Sequence, residues 1–281
     1  MTYDELWRKL TAVYPPGEAR AVVRTVLDEA FGLSLADVCS GKVTQLSADD
    51  TTRLAKMIDR LAKSEPVQHV LGHEWFCGRA FKVGPQVLIP RPETEDLCRW
   101  ATTLLSETGG PRRVLDVGTG SGCIAITLAL DAPEAEVEAW DVSPDALAVA
   151  RENARELQAT VQFAQRDALH LPSDHPQWTM IVSNPPYICR RESLQMHENV
   201  LRYEPHLALF VPDDDPLLFY RAIARYALTA LVPGGYLMFE TNTAYAQATA
   251  AMLREMGFGE IEVHNDCFGL QRMVKARLSE S

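Results

Sequence analysis

The sequence holds no run of apolar residues that approaches the roughly 18 consecutive positions a membrane-spanning helix requires. Its first residues, Met1-Thr2-Tyr3-Asp4-Glu5, offer neither a basic region nor an apolar core, so no secretory leader is read there and a cytoplasmic location is expected. The cysteines Cys39, Cys77, Cys98, Cys123, Cys189 and Cys267 include no Cys-x-x-Cys pair, which argues against a zinc site or a redox dithiol and for reduced thiols. No His-Glu-x-x-His is present. His69 and His73 stand four apart without a third ligand or a general base, so no metal is expected. There is also no basic stripe. The net charge of −11 argues against a chain built to hold nucleic acid, whose phosphates demand local positive charge. Internal repeats and low-complexity segments are absent too. What remains is a chain of ordinary globular composition, long enough for two modest domains.

The first seventy residues read as helices. Leu6, Leu10 and Val13 recur at helical spacing, as do Val22, Val23, Val26, Leu27, Ala30 and Phe31. A third helix is expected to start at Ser47, with Asp50 completing a variant capping box and Leu54, Met57, Ile58 and Leu61 buried, and to end at Pro66. Residues 1–73 are therefore assigned to a small N-terminal helical domain. Trp75 to Gly84 mixes aromatic and β-branched residues around Gly78, which predicts a hairpin within a linker over 74–92. From residue 93 to 281 the pattern becomes α/β. A helix is expected from about Glu93 to Leu105, strands beginning at Val114, Val137, Val161, Met180 and Tyr236, and helices near 122–130, 144–157, 216–231 and 244–256. Ile261-Glu262-Val263 and Arg272 to Ala276 have no helix between them, so a terminal hairpin should add antiparallel strands to a mostly parallel sheet.

Chemistry concentrates at the ends of these strands. Gly118-Thr119-Gly120-Ser121-Gly122 follows the first strand of the α/β region, where glycines permit a tight turn and the close approach of a ligand. The spacing is neither the Gly-x-Gly-x-x-Gly of dinucleotide binders nor a phosphate loop ending in Gly-Lys-Ser/Thr. Asp141 ends the second strand about 20 residues on, where a carboxylate can accept hydrogen bonds from a ribose diol. Asp167 ends the third, where it can meet the edge of an adenine. Each acid alone also suits a helix cap or a turn. Two at successive strand ends beside one glycine-rich loop resemble the class I, Rossmann-like methyltransferases, and that resemblance implies S-adenosyl-L-methionine as cofactor. It also implies that the backbone N–H of Ala168 meets the adenine ring.

Ser183-Asn184-Pro185-Pro186-Tyr187 ends the fourth strand. An amide or exocyclic NH₂ is a poor nucleophile because its lone pair is delocalised. A site that methylates it must hold both N–H groups and aim the nitrogen. Asn184 offers a side-chain oxygen for one N–H and Pro185 a carbonyl for the other, held rigidly because proline fixes φ. Tyr187 offers a flat face for the planar acceptor and for positive charge nearby. The chemistry would then be orientation and electrostatics, with no covalent intermediate. Read alone, the same residues make an ordinary turn. Related tetrapeptides serve adenine N6 in DNA, guanine N2 in RNA and glutamine in protein, so the motif leaves the acceptor open.

Further segments decide it by resemblance. Glu65-Pro66-Val67-Gln68-His69-Val70-Leu71-Gly72, Leu88-Ile89-Pro90-Arg91-Pro92-Glu93-Thr94-Glu95, Asp116 to Ile124, Ser183 to Ile188, Tyr203-Glu204-Pro205, and Asp266, Gly269 and Arg272 resemble the HemK/PrmC family of peptide-chain release factor glutamine methyltransferases. The resemblance spans nearly the whole chain. It departs where the family reads Glu-Ile-Gly and this chain reads Glu240-Thr241-Asn242, and where His69 replaces a tyrosine. It implies transfer of a methyl group to N5 of the glutamine in the Gly-Gly-Gln loop of class I release factors. Asn184, Pro185, Pro186 and Tyr187 would clamp that glutamine. Gly118, Thr119, Gly120, Ser121, Gly122, Asp141, Asp167, Ala168 and Asn184 would hold the cofactor, and the helical domain would dock the release factor. Two other readings compete. One is an amino methyltransferase for DNA or RNA, which the acidic charge opposes. The other is a non-catalytic module that keeps the fold, which the intact Asn-Pro-Pro-Tyr opposes. Neither a membrane nor a stable nucleic-acid partner is expected. Asp213-Asp214-Asp215 is read as a solvated cap rather than a cation site, and Arg190 and Arg191 as either substrate contacts or loop cover.

Overall fold

A computed structural model describes residues 1–171 and 175–280. They form two compact units, Met1–His73 with Met196–Tyr203, and Glu74–Gln195 with Glu204–Ser281.

The first unit contains α1 (Tyr3–Lys9), α2 (Pro16–Phe31), α3 (Leu35–Cys39), α4 (Ala48–Leu61) and α5 (Val67–Leu71). Capping sets their starts. Thr2 and Glu5 form a capping box, and Ser47 accepts the Asp50 N–H at the head of α4. Leu6, Leu10, Val23, Val26, Leu27, Leu54, Ile58 and Leu61 are wholly buried in one core, each contributing about 1.5–3 kcal/mol relative to exposure. Three details differ from expectation. Val13 is exposed, because α1 stops at Lys9. The third expected helix ends at Leu61, ahead of Pro66, and Ser64 turns at positive φ. Pro66 instead precedes α5, which Gly72 closes from the left-handed region. From the segment Met196–Tyr203, Tyr203 Oη donates to the Lys63 carbonyl at 2.8 Å.

The second unit begins with the hairpin of β1 (His73–Phe76) and β2 (Arg79–Lys82). Its two-residue turn places Cys77 and Gly78 at φ 48° and 73°, the handedness that matches strand twist. Then follow α6 (Pro92–Glu107), β3 (Arg112–Val117), α7 (Cys123–Asp131), β4 (Ala135–Asp141), α8 (Pro144–Glu156), β5 (Val161–Gln165) and β6 (Trp178–Ser183). The chain continues through β7 (Ile188–Cys189), α9 (Glu198–Tyr203), β8 (Phe210–Val211), α10 (Leu218–Ala230), β9 (Leu231–Glu240), α11 (Ala246–Glu255), β10 (Gly259–Asn265) and β11 (Gln271–Arg277).

The seven-stranded sheet runs β10-β11-β9-β6-β3-β4-β5. The five central and distal strands are parallel; β11 is antiparallel to β9 and β10 to β11. The expected α/β fold, mostly parallel with an antiparallel C-terminal hairpin, is the one found. Alternate residues feed two cores. Leu115, Val117, Ile181, Leu237 and Phe239 face α10 and α11, while Val114, Met180, Val182 and Met238 face α6 and α7. Asp266 shapes the last loop by accepting the N–H groups of Phe268 and Leu270 and pairing with Arg272.

Topology positions the site. The chain runs from β3 through β4 to β5 on one side, then crosses to β6 on the other side of β3. Loops after β3 and β6 therefore leave in opposite directions and open a crevice at the carboxyl ends of the strands.

Candidate active site

The loop after β3 is pinned by its own hydrogen bonds. Gly118 and Thr119 both donate their N–H groups to the Trp140 carbonyl, at 2.8 and 2.9 Å. Gly118 and Gly120 lie at φ 78° and 55°, a region that side chains disfavour. Gly120 N–H donates to Asp141 Oδ2 and Ser143 N–H to Asp141 Oδ1, both at 2.9 Å. Asp141 thus fastens the loop to the end of β4, and each carboxylate oxygen keeps a lone pair for a further donor. Its burial raises its pKa. Beneath the loop, Thr119 Oγ1 donates to Asp116 Oδ2 at 2.7 Å, and burial pushes Asp116 up to about 7. Asn153, on α8, donates to the Ser121 carbonyl and also bonds both backbone groups of Lys82.

A cleft of about 290 Å³ opens above this loop. Gly118, Thr119, Gly120, Ser121, Asp141, Asp167, Ala168, Asn184, Pro185 and Pro186 all line it, so most of the residues singled out in the sequence converge. Gly122 and Tyr187 are not in that lining. Gly122 gives its N–H to the Thr119 carbonyl and starts α7, and a Cβ there would lie 2.8 Å from Ile126 and 3.2 Å from Ala150. Its small size serves helix packing. Asp167 reaches the cleft but spends its carboxylate locally, on the Leu169 N–H and on His170 Nδ1 at 2.7 Å, which holds its pKa down. Apolar side chains of Leu88, Val142 and Leu169 complete a wall suited to a flat ring.

The end of β6 is tied to the end of β3 by Ser183 Oγ, which donates to the Val117 carbonyl at 2.6 Å. Asn184 follows at once. Its Nδ2 donates to Thr94 Oγ1 at 3.3 Å, and Thr94 Oγ1 donates to Glu240 Oε2 at 2.6 Å. Tyr187 Oη donates to the other Glu240 oxygen at 3.3 Å. Asn184 Oδ1 is buried and has no partner among the described residues. Burial pushes Glu240 up to about 7, against the Thr94 hydrogen bond and the charge of Arg272, and burial raises the Tyr187 hydroxyl as well.

Several contributors carried no role in the sequence reading. Glu204, almost wholly buried, accepts the Ile89 N–H at 3.1 Å and pairs with Arg91 at 2.6 Å, which fixes the Pro90-Arg91 side of the cleft. Glu95 accepts the Cys77 N–H, and Thr94 faces Glu240. The Arg-Pro-Glu-Thr-Glu and Tyr-Glu-Pro segments were visible signals for all of these. Their partners were not: those of Glu204 and Thr94 lie more than a hundred residues away, and that of Glu95 lies 18 residues back in the hairpin turn. At Glu240-Thr241-Asn242, Asn242 sits at φ −60°, an ordinary conformation that needs no glycine. Its Nδ2 donates to Glu192 and to the Tyr187 carbonyl, bracing the loop beyond Tyr187.

Other candidates resolve differently. Asp215 pairs with Arg221, and Asp213 accepts the Arg191 N–H; the run does not cap α10, which starts at Leu218. Arg191 also reaches Tyr245 Oη, so it braces a loop. His69 ends up buried on α5 and His73 on β1, and no group of three metal-ligating side chains occurs among the described residues.

Comparison with known proteins gives a consistent pattern. Residues 100–204 match the methyltransferase small domain and residues 7–72 the PrmC N-terminal domain. A release factor glutamine methyltransferase from Bacteroides thetaiotaomicron is 44% identical over 96% of this chain and 96% of its own length. One from Flavobacterium psychrophilum is 37% identical over 95% of this chain and 94% of its own. Among solved structures, the hMettl16 catalytic domain in complex with the MAT2A 3'UTR hairpin 6 matches with a TM-score of 0.56 and 16% identity, covering 93% of this chain and 82% of that one. A methyltransferase from Pyrococcus furiosus matches at 0.52 and 15%, covering 83% and 100%. At those identities the structures share the fold.

Proposed function

This chain belongs to the family of release factor glutamine methyltransferases, and from that premise we infer that it transfers a methyl group from S-adenosyl-L-methionine to the side-chain amide nitrogen, N5, of the glutamine in the Gly-Gly-Gln loop of class I release factors. The observation that carries this reading is Asn184 Oδ1, a buried amide oxygen without a partner at the end of β6, beside the glycine-rich loop. A buried acceptor left unpaired costs about 1–3 kcal/mol, and a substrate N–H would recover it.

The cleft suits the cofactor. Gly118 to Ser121 offer a backbone cradle that side chains would crowd, the spare lone pairs of Asp141 fit a ribose diol, and Leu88, Val142 and Leu169 fit an adenine beside Ala168. When bound, S-adenosyl-L-methionine supplies a methyl on a sulfonium that leaves with the bonding electron pair. The residues supply the rest. Asn184 Oδ1 accepts one N–H of the glutamine amide, and the Pro185 carbonyl accepts the other. The amide is thereby turned so that its nitrogen faces the methyl, and the N–C bond forms along that line. The methylated nitrogen then sheds one proton to solvent, because the two carbonyl oxygens that hold its N–H groups are acceptors too weakly basic to keep it. Tyr187, fixed through Glu240, walls the acceptor side and favours positive charge there. Gly122 supports the loop by packing, and Asp167 acts through the turn that presents Ala168.

The acidic net charge supports a protein acceptor over a nucleic acid. No helix among the described residues is long and apolar enough to cross a membrane, and a release factor substrate fits a cytoplasmic enzyme. The test is Asn184→Ala. The variant should keep cofactor affinity within a few fold and lose most turnover, because orientation is lost. Methylation of release factor at the wild-type rate would reduce the tetrapeptide to a turn.

A further inference from the structure

We propose that Thr94 and Glu240 are positioning residues that set which end of the Asn184 amide faces the acceptor. The inference rests on the amide-clamp reading above and adds to it how the clamp is given its polarity.

An asparagine amide is nearly symmetric in shape and opposite in function at its two ends. Turned one way it presents Oδ1 and can hold a substrate N–H. Turned the other way it presents NH₂, which repels one. Shape cannot choose, so hydrogen bonding must. Thr94 has a single proton, and the Glu240 carboxylate takes it at 2.6 Å. The Thr94 oxygen is then left with lone pairs only. It can accept from Asn184 Nδ2, as it does at 3.3 Å, and cannot donate to Oδ1. Nδ2 is thereby held by Thr94, and Oδ1 is left buried without a partner among the described residues. Tyr187 Oη donates to the second Glu240 oxygen, so one carboxylate orients both ends of the acceptor motif. Thr94 is 2% and Glu240 1% exposed, so water does not compete for these bonds.

The device depends on Glu240 being ionised. A protonated Glu240 can donate to Thr94, which frees the Thr94 proton to point at Asn184 and removes the preference. Several groups bear on Glu240. Thr94 and Glu93 come from α6, Tyr187 from the loop after β6, and Arg272 from β11; Tyr220 on α10 and Cys123 on α7 sense its charge. Burial brings its titration to about 7, within reach of assay.

The test compares Thr94→Val, Thr94→Ser, Glu240→Gln and Asn184→Ala with wild type, using recombinant release factor and S-adenosyl-L-methionine. Valine keeps the shape of threonine and cannot accept a hydrogen bond. Thr94→Val should lower kcat about tenfold, the scale of one lost hydrogen bond, with KM for both substrates within about twofold. Thr94→Ser should restore most of the rate. Wild-type kcat should fall as pH drops from about 8 to about 6, and Glu240→Gln, which does not titrate, should lack that limb. Full activity in Thr94→Val, or an acid limb that persists in Glu240→Gln, overturns the proposal. Asn184→Ala separates this failure from failure of the clamp itself: an active Asn184→Ala rejects the clamp, whereas an inactive one beside an active Thr94→Val rejects only the positioning role. Should Thr94→Val fail to bind cofactor, an unfolded core is indicated and the Thr94→Ser rate with the Glu240→Gln pH profile decides.

Discussion

At the scale of single residues, strand-end position was the readable signal. Asp141 could be singled out because it ends the strand that follows a glycine-rich loop, a place that also suits a turn, and its carboxylate does both, fastening Gly120 and accepting the Ser143 N–H while each oxygen keeps a lone pair. Its replacement by alanine should weaken cofactor binding by about 1.5–3 kcal/mol in calorimetry, with the fold retained; an unchanged affinity would remove the role. What the sequence did not reveal was the layer behind. Thr94, Asn153 and Glu204 act through partners between 32 and 146 positions away, and spacing carries no information about such pairs. Glu240 has a thermodynamic signature as well. Its folded pKa, about 7, lies above its ordinary value, so the native state holds the proton more tightly than the unfolded chain. Its contribution to stability is full below the ordinary carboxylate range and is lost as pH rises through about 7. Melting temperatures should therefore fall less between about pH 5 and 8 in Glu240→Gln than in wild type. Parallel curves for the two proteins would place the Glu240 titration elsewhere.

Among the elements, periodicity and capping carried most of the assignment. Strands at Val114, Val137, Val161, Met180 and Tyr236 emerged because apolar runs alternate with helical spacing, and all lie within strands of the sheet. The misses are local. Apolar spacing extended α1 to Val13, where the backbone has already passed from helix into tight turns such as the Val13 N–H to Leu10 carbonyl bond, and α5, which Gly72 terminates, lay outside the helices expected from spacing. Gly122 shows how a motif can mix two functions. Counted with the glycine-rich loop, it sits behind it, at φ 83° with Ile126 and Ala150 where a side chain would have to go. Gly122→Ala should cost about 1–2 kcal/mol of stability, from the left-handed backbone alone. The loss would appear as a melting point lower by a few degrees, with cofactor affinity per folded molecule little changed. Normal melting with a large loss of affinity would return Gly122 to the binding surface.

For the whole molecule, the acceptor is the claim on which the other assignments depend. The fold alone does not choose it, since the same sheet underlies a structure solved with an RNA hairpin. The choice rests on family membership across almost the full chain and on the acidic balance. A nucleobase would have to be extruded from its stack at a cost of a few kcal/mol and held by phosphate contacts that this composition does not favour. The decisive measurement is mass spectrometric location of the methyl group after incubation with S-adenosyl-L-methionine, a class I release factor, and the same factor with its Gly-Gly-Gln glutamine replaced, alongside DNA and RNA at low salt. One methyl is expected on that glutamine, none on the replaced factor, and little on either nucleic acid. A methyl on the replaced factor, or sequence-dependent methylation of an oligonucleotide, would contradict it.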